Sequence, residues 1–475
     1  MKNTNQPNSP RLITFIHAAD WQLGKPFAGI TDPLKRGRVQ QERIEVIRRI
    51  GTVVRDRQAS FVVVAGDLFD SATPTREMIS AALGAIGELG VPVFAIPGNH
   101  DHGGPDSLWE QPFFTRERDR LAPGFSLLGS RTPTVVDLPD RGDGGRNVVL
   151  LPCPLLRRHE ADDPTAWIRD LDFANFDDAG DAPRIVIAHG STASFVAGAG
   201  VGAGPSGGAG TKSGLDDRHD DDDDVARGSN IIAIDRLPID EVDYVALGDW
   251  HGFMAAGSAA GSKTWYSGTP ELDRFPKTGQ EPGHVAVVTV GRGLPPSVAS
   301  VRTGRFRWLT LEVALETATG DAGAAGATQG PSYLDDVLKQ ATLPQSPGEP
   351  GFDGCLVSVR LTGTVTLAGR VELDRVIESW QARLLRLDLD DEVQIAPSAD
   401  EIHDLTARPD DPIIARVATE LVSRLEAGGA VTDLNVVRHA LHILHGLTQT
   451  TGPIPSPVKS PAEGRTSAAA GTDPA

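Results

Sequence analysis

Five short stretches of this chain end in side chains that can ligate a metal or handle a proton. They are Asp20-Trp21-Gln22, "GDLFD" at 66–70, "GNHD" at 98–101, "AHG" around His189, and "GDWHG" at 248–252. Each follows a short apolar run. One such stretch alone says little, because an Asp after a strand is often only a helix N-cap and a lone His is more often structural. Five in order, each at the C-terminal end of an apolar run, carry more weight. The C-terminal ends of strands on one side of an α/β sheet converge on a common crevice. The glycines permit tight turns and close backbone approach.

The donor inventory is Asp, Asn, His and, at residue 22, Gln; Cys is missing from it. Mixed oxygen and imidazole donors suit Mn²⁺, Fe²⁺ or Zn²⁺ better than a soft metal. Two such ions about 3.5–4 Å apart share a bridging carboxylate and clamp the attacking and leaving oxygens of a phosphoryl transfer.

Residues 11–290 hold the elements that must position these groups. "LITFIH", "FVVVAG", "VPVFAI", "VVLLP", "RIVIAHG" and "DYVALG" read as buried strands. Helices are expected at about 38–57 and 75–90. Alternation of strands and helices implies an α/β domain with layered sheets. The Gly- and Asp-rich stretch 197–229 cannot bury a core and is expected to be a disordered insertion. Residues 300–450 read as a second, smaller α+β unit. Its strands are "FRWLTLEVAL" and "CLVSVRLTG". One helix is expected to turn Val371, Val376, Ile377, Trp380 and Leu384 to one face, with two more at about 412–426 and 433–447. The tail 451–475 is Pro/Ser/Ala-rich and expected to be disordered.

The chain has 475 residues, 39% of them apolar, enough for two or three cores. No apolar run is long enough for a membrane span, and "MKNTNQPNSP" lacks a signal-peptide core. Two cysteines far apart in sequence, Cys153 and Cys355, fit a reducing cytoplasm. The net charge of −19 argues against coating nucleic acid by charge alone. The distribution is uneven: 25–57 carries nine Lys/Arg against four Asp/Glu, and 216–224 carries seven Asp against one Arg. The basic segment can be a solvated helix face or a phosphate contact.

The motifs "GDLFD", "GNHD", His189 after a strand, and "GDWHG", in that order, resemble the calcineurin-like metallophosphoesterase superfamily. "FIHAADWQLGKPF", "VVVAGDLFD", "AIPGNHD", "YVALGDWHG" and "WYSGTPE" are similar to the nuclease branch found in SbcCD-type DNA repair complexes. The likeness covers about residues 12–275 with specific motifs and continues loosely through the C-terminal unit, which resembles the family's capping region.

The resemblance implies a β-sandwich flanked by helices and two divalent ions, with Mn²⁺ the expected metal. Asp20, Gln22, Asp67 and His251 would hold one ion. Asp67, Asn99, His189 and Asp249 would hold the other, with Asp67 bridging and His100 beside the scissile phosphate. Residues 22 and 249 are usually His in the family, so each site exchanges an imidazole for an oxygen donor. The resemblance also implies DNA as substrate, an SMC-like coiled-coil ATPase as partner, and a homodimer, with 412–447 as the expected docking segment. Two alternatives stay open: a phosphoesterase acting on small molecules or proteins, and a weakly active structural subunit. His17 and His102 are candidate supports for the metal ligands. Asp70 and Asp101 are expected to orient loops. His439, His442 and His445 read as a polar helix stripe.

Overall fold

The computed structural model describes residues 12–138, 146–192, 228–257, 262–276, 281–316 and 330–450. Of the stretch 197–229 only the last two residues fall within these ranges, and the tail 451–475 lies outside them. Two compact units share the chain. One comprises Met1–Leu311, Lys339–Val359 and Trp380–Leu389; the other comprises Glu312–Leu338, Arg360–Ser379 and Asp390–Ala475.

The first unit is built on two six-stranded sheets. One runs Ser297–Arg302, His284–Val290, Ile13–Ala18, Val62–Ala65, Val93–Ile96, Phe125–Leu127. The other runs Met254–Ala255, Thr264–Tyr266, Tyr244–Gly248, Arg184–His189, Arg146–Cys153, Thr134–Leu138. Side chains alternate between the faces of a strand, and both faces here are apolar. Phe15, Val63, Phe94 and Ile96 of the first sheet meet Leu150, Ile185, Ile187 and Ala246 of the second. Ile16, Val62 and Val64 point the other way, onto Ile44, Ile47, Ile50, Ile79 and Leu83 of two helices. The expected layered sandwich flanked by helices is the observed fold. Fully burying each such side chain contributes about 1.5–3 kcal/mol.

Those helices are Pro33–Asp56 and Arg76–Gly87. Asp32 caps the first by accepting from the backbone N–H of Leu34 and Lys35, with proline at the first position. The helix therefore starts earlier than expected. Its opening turns, "PLKRGR", are polar, and the buried stripe begins only at Val39. Each helix returns the chain to a parallel neighbour: Ile13–Ala18 pairs parallel with Val62–Ala65, and that strand with Val93–Ile96. In the second sheet Tyr244–Gly248 runs parallel to Arg184–His189, setting Gly248 opposite His189. Parallel register places the motif-bearing strand ends together.

In the second unit, helices Ala399–Thr406, Pro412–Ala427 and Val431–Thr450 close over Leu405, Ala418 and Leu441, joined by Leu367. Gln394–Ile395 pairs parallel with Thr364 and Val365. The helix Leu367–Arg383 corrects one expectation. Its buried stripe is Leu373, Ile377 and Trp380, continuing to Leu384 beyond its end, while Val371 and Val376 are only half-buried. Leu373 completes the helical spacing expected of Val371.

Candidate metal centre

Asp20, Asp67 and His189 are buried, and their ligand atoms lie within 4.8 Å of one another. The backbone is bent to deliver them. Asp20, Gln22, Asp67 and Asp249 all have positive φ, at 52°, 42°, 55° and 97°, a region that side-chain-bearing residues rarely occupy and that concentrates at functional sites. Gly66 shows why the motifs need glycine. A Cβ there would sit 2.3 Å from Nδ1 of His189, and a Cβ on Gly98 would sit 2.0 Å from Oδ1 of Asp67.

The hydrogen bonds of His189 fix its orientation. Its Nδ1 donates to the carbonyl of Ala65 at 2.8 Å, so Nε2 carries the group's remaining capacity. That nitrogen faces Oδ1 of Asn99 at 2.9 Å, Oδ2 of Asp67 at 3.5 Å and Oδ1 of Asp249 at 3.9 Å. Asp249 is held from behind by the hydroxyl of Ser191, which donates to Oδ2 at 2.6 Å. The backbone N–H of Asp249 donates to both oxygens of Asp20, at 3.0 and 3.2 Å.

Acceptors thus face acceptors, and a positive charge must stand among them. In the protein alone a proton does this. Burial works to lower the His189 pKa, but Asp67, Asp20 and Asp249 together lift it to about 9. Burial, with Asp67 and Asp249, also raises Asp20 well above the ordinary carboxylate range. A divalent ion would replace that proton and relieve both groups. The donor set of carboxylates, one amide oxygen and one imidazole fits such an ion.

Gln22 and His251, both buried, lie in different company. The ammonium of Lys25 donates to Oε1 of Gln22 at 3.0 Å and to Oδ2 of Asp273 at 2.7 Å. Nε2 of Gln22 lies 3.3 Å from Nε2 of His251, and Nδ1 of His251 lies 3.0 Å from Oδ1 of Asp273. Nη2 of Arg274 approaches the same ring at 3.0 and 3.3 Å. Burial opposes ionisation of Asp273, yet His251, Lys25 and Arg274 hold its carboxyl well below the usual range.

His100 sits at the half-exposed edge of the centre. Its backbone N–H donates to Oδ1 of Asp67 at 3.0 Å, and its Nδ1 lies 2.9 Å from the carbonyl of Asp70. Asp101 orients two loops by accepting from the N–H of Gly98 and of Phe69. His17 does not support a ligand; it pairs with Tyr244 and the carbonyl of Leu247.

The basic segment 25–57 proves to be structural where it is buried. Besides Lys25, Arg43 is buried, and its guanidinium donates to the carbonyls of Asp20, Trp21, Glu271 and Leu272. It thereby ties the first motif to the loop after Tyr266. Arg49 pairs with Glu42 and Glu271, and Arg48 with Glu45 and Glu88. The motifs in the sequence do not single out Lys25, Arg43, Ser191, Asp273 or Arg274. Four of them adjoin motif text all the same: "QLGK" contains Lys25, Ser191 directly follows "AHG", and "LDR" directly follows "TPE".

The family model described as calcineurin-like phosphoesterase matches residues 13–253, half of the chain. The D component of the nuclease SbcCD from Bacillus subtilis (strain 168) is 33% identical over 137 residues, covering 28% of this chain and 32% of that protein. The uncharacterized metallophosphoesterase YhaO of the same organism is 34% identical over 98 residues, covering 19% and 24%. The matches span about a third or less of these relatives. Among solved structures, a dimetal phosphatase from Danio rerio aligns at 12% identity, over 62% of this chain and 99% of that one, with a TM-score of 0.31.

Proposed function

This chain belongs to the calcineurin-like phosphoesterase family, and from that premise we propose that it is the metal-dependent nuclease subunit of a DNA repair complex. The observation that carries the reading is the buried cluster of Asp20, Asp67 and His189, with oxygens of Asn99 and the half-buried Asp249 also facing the imidazole. A divalent ion bound there, Mn²⁺ in this reading, activates water and neutralises charge on a phosphoryl group. Asp67 and Asn99 present ligand oxygens to it, and Ser191 keeps Asp249 turned inward. His100, anchored on the Asp70 carbonyl, stands where a proton can reach a leaving oxygen. Similarity to the nuclease SbcCD component supports DNA as substrate.

The same similarity supports assembly with a coiled-coil ATPase and a second copy of the chain. The docking surface is the pair of helices Pro412–Ala427 and Val431–Thr450. Ile413 and Val417 lie one turn apart and exposed on the first, and Val436, Ile443 and Leu447 are exposed at helical spacing on the second. Apolar side chains so spaced suit a partner helix. A reducing compartment such as the cytoplasm agrees with two buried free thiols, Cys153 and Cys355. Among the described residues no helix is long and apolar enough to cross a membrane.

The test is cleavage of end-labelled linear DNA, with bis(p-nitrophenyl) phosphate in parallel, across Mn²⁺, Mg²⁺ and Zn²⁺. DNA degradation with Mn²⁺ that a chelator abolishes supports the reading. Hydrolysis of the small ester alone points instead to a phosphoesterase of another substrate class, to which similarity with YhaO is equally compatible. No hydrolysis of either, with metal bound, leaves the alternative of a structural role.

A further inference from the structure

We infer that this centre holds one divalent ion per chain, and that the place of a second is taken by a closed ring of Lys25, Gln22, His251 and Asp273. The inference rests on the proposed role of the acidic group as a metal site. It concerns the other half of the centre, where Gln22 and His251 were expected to serve as ligands.

The ring follows from donor chemistry. An ammonium can only donate, so the atom of Gln22 facing Lys25 is its oxygen, at 3.0 Å. The other end of the same amide is then NH₂, and it points at Nε2 of His251, 3.3 Å away. The other ring nitrogen, Nδ1, lies 3.0 Å from Oδ1 of Asp273, and Nη2 of Arg274 approaches both nitrogens, at 3.0 and 3.3 Å. The second oxygen of Asp273 receives Lys25 at 2.7 Å and closes the circuit. The amide orientation, which heavy-atom positions leave open, is dictated by the lysine.

Both atoms that a metal would need are thereby committed. The Gln22 oxygen is turned to Lys25, and Nε2 of His251 faces the Gln22 amide and the Arg274 guanidinium. Rotating the amide to offer its oxygen elsewhere would set NH₂ against the ammonium in a buried site, where Gln22 is fully covered and the Lys25 side chain is 7% exposed. Charge points the same way. The ammonium of Lys25 stands inside this half, paired with Asp273, whereas the acidic half gathers Asp20, Asp67 and Asp249 around His189. A dication is repelled by the ammonium in the first half and attracted by the three carboxylates in the second. The donor set in the ring half does not fit a metal, and the fixed ammonium stands there instead.

The experiment is metal stoichiometry of the full chain, freed of metal by chelation and titrated with Mn²⁺. Calorimetry counts the equivalents, and electron paramagnetic resonance reports whether ions are isolated or exchange-coupled. One equivalent with an isolated-ion spectrum supports the inference. Two equivalents with a coupled spectrum overturn it and leave the proposed function standing. No binding at all overturns both, because the acidic group would then not be a metal site. The double variant Gln22→His, Lys25→Met restores an imidazole and removes the ammonium. It is expected to take a second equivalent while keeping the first, and retention of the first shows that the site has folded. A double variant still limited to one equivalent would sink the claim that the ring excludes the second ion.

Discussion

His17 and Tyr244 join the two sheets of the sandwich. Nδ1 of His17 lies 3.0 Å from the phenol oxygen, while Nε2 lies 3.1 Å from the carbonyl of Leu247. A carbonyl only accepts, so Nε2 carries the proton and Nδ1 accepts from the Tyr244 hydroxyl. The imidazole is fully buried and neutral, and burial pushes its pKa down to about 3.

This makes His17 a source of acid sensitivity. The unfolded chain takes up the proton below about pH 6.5, but the folded chain does so only near 3. The unfolded state therefore binds more protons between these values, and stability falls as pH drops through the window. His17→Gln should destabilise the protein at pH 7, and the gap from wild type should narrow by about 2 kcal/mol at pH 5. Urea midpoints at the two pH values measure it. A gap that stays constant or widens would show that His17 does not titrate as described.

Gly66→Ala should disable the centre through His189. Gly66 has φ of +92°, and the new methyl would meet the imidazole at 2.3 Å. Metal affinity should drop by roughly 10–100-fold, the effect of disturbing a ligand's support. Gly84→Ala is the control: nothing lies within 4 Å of its Cβ position, and it sits inside the helix Arg76–Gly87. That change should leave metal binding alone and raise stability by ~0.5–1 kcal/mol.

His100→Ala should separate chemistry from metal binding. The contact of residue 100 with Asp67 is made by the backbone N–H, which the substitution preserves. Turnover of DNA should fall by about 10²–10⁴, with metal content measured by atomic emission unchanged. A variant that loses its metal would place His100 among the ligands.

Ile413→Glu combined with Leu447→Glu should abolish co-purification with a coiled-coil ATPase while sparing nuclease activity of the free chain. The two side chains are 76% and 56% exposed, so each change should alter stability by no more than about 0.5 kcal/mol. Association undiminished in the double variant would move the docking surface elsewhere.

The strand ends were legible because their signals are local. An apolar run of Val, Ile and Ala closing on Gly66-Asp67, Gly98-Asn99 or Gly248-Asp249 states both the strand and the turn that follows it. The observed strands Val62–Ala65, Val93–Ile96 and Tyr244–Gly248 end at those points. The start of the helix Pro33–Asp56 was less legible, since its first turns carry charge where a buried stripe would otherwise announce a helix. On the helix Leu367–Arg383 the choice between Val371 and Leu373 depended on which neighbours the helix meets, and periodicity alone does not contain that.

Taken alone, the sequence determined which residue types stand at the mouths of the strands, and so the class of chemistry. Tertiary structure decided how they are divided. Lys25 and Asp273 are 248 positions apart, and nothing near either one marks it as the other's partner. Arg43 reads as one more cation on a basic helix, yet its guanidinium is buried against four backbone carbonyls. Hydrogen-bond direction, amide orientation and imidazole tautomer are properties of contacts rather than of residues. They exist only once packing has excluded water and each donor must find its acceptor among the side chains at hand.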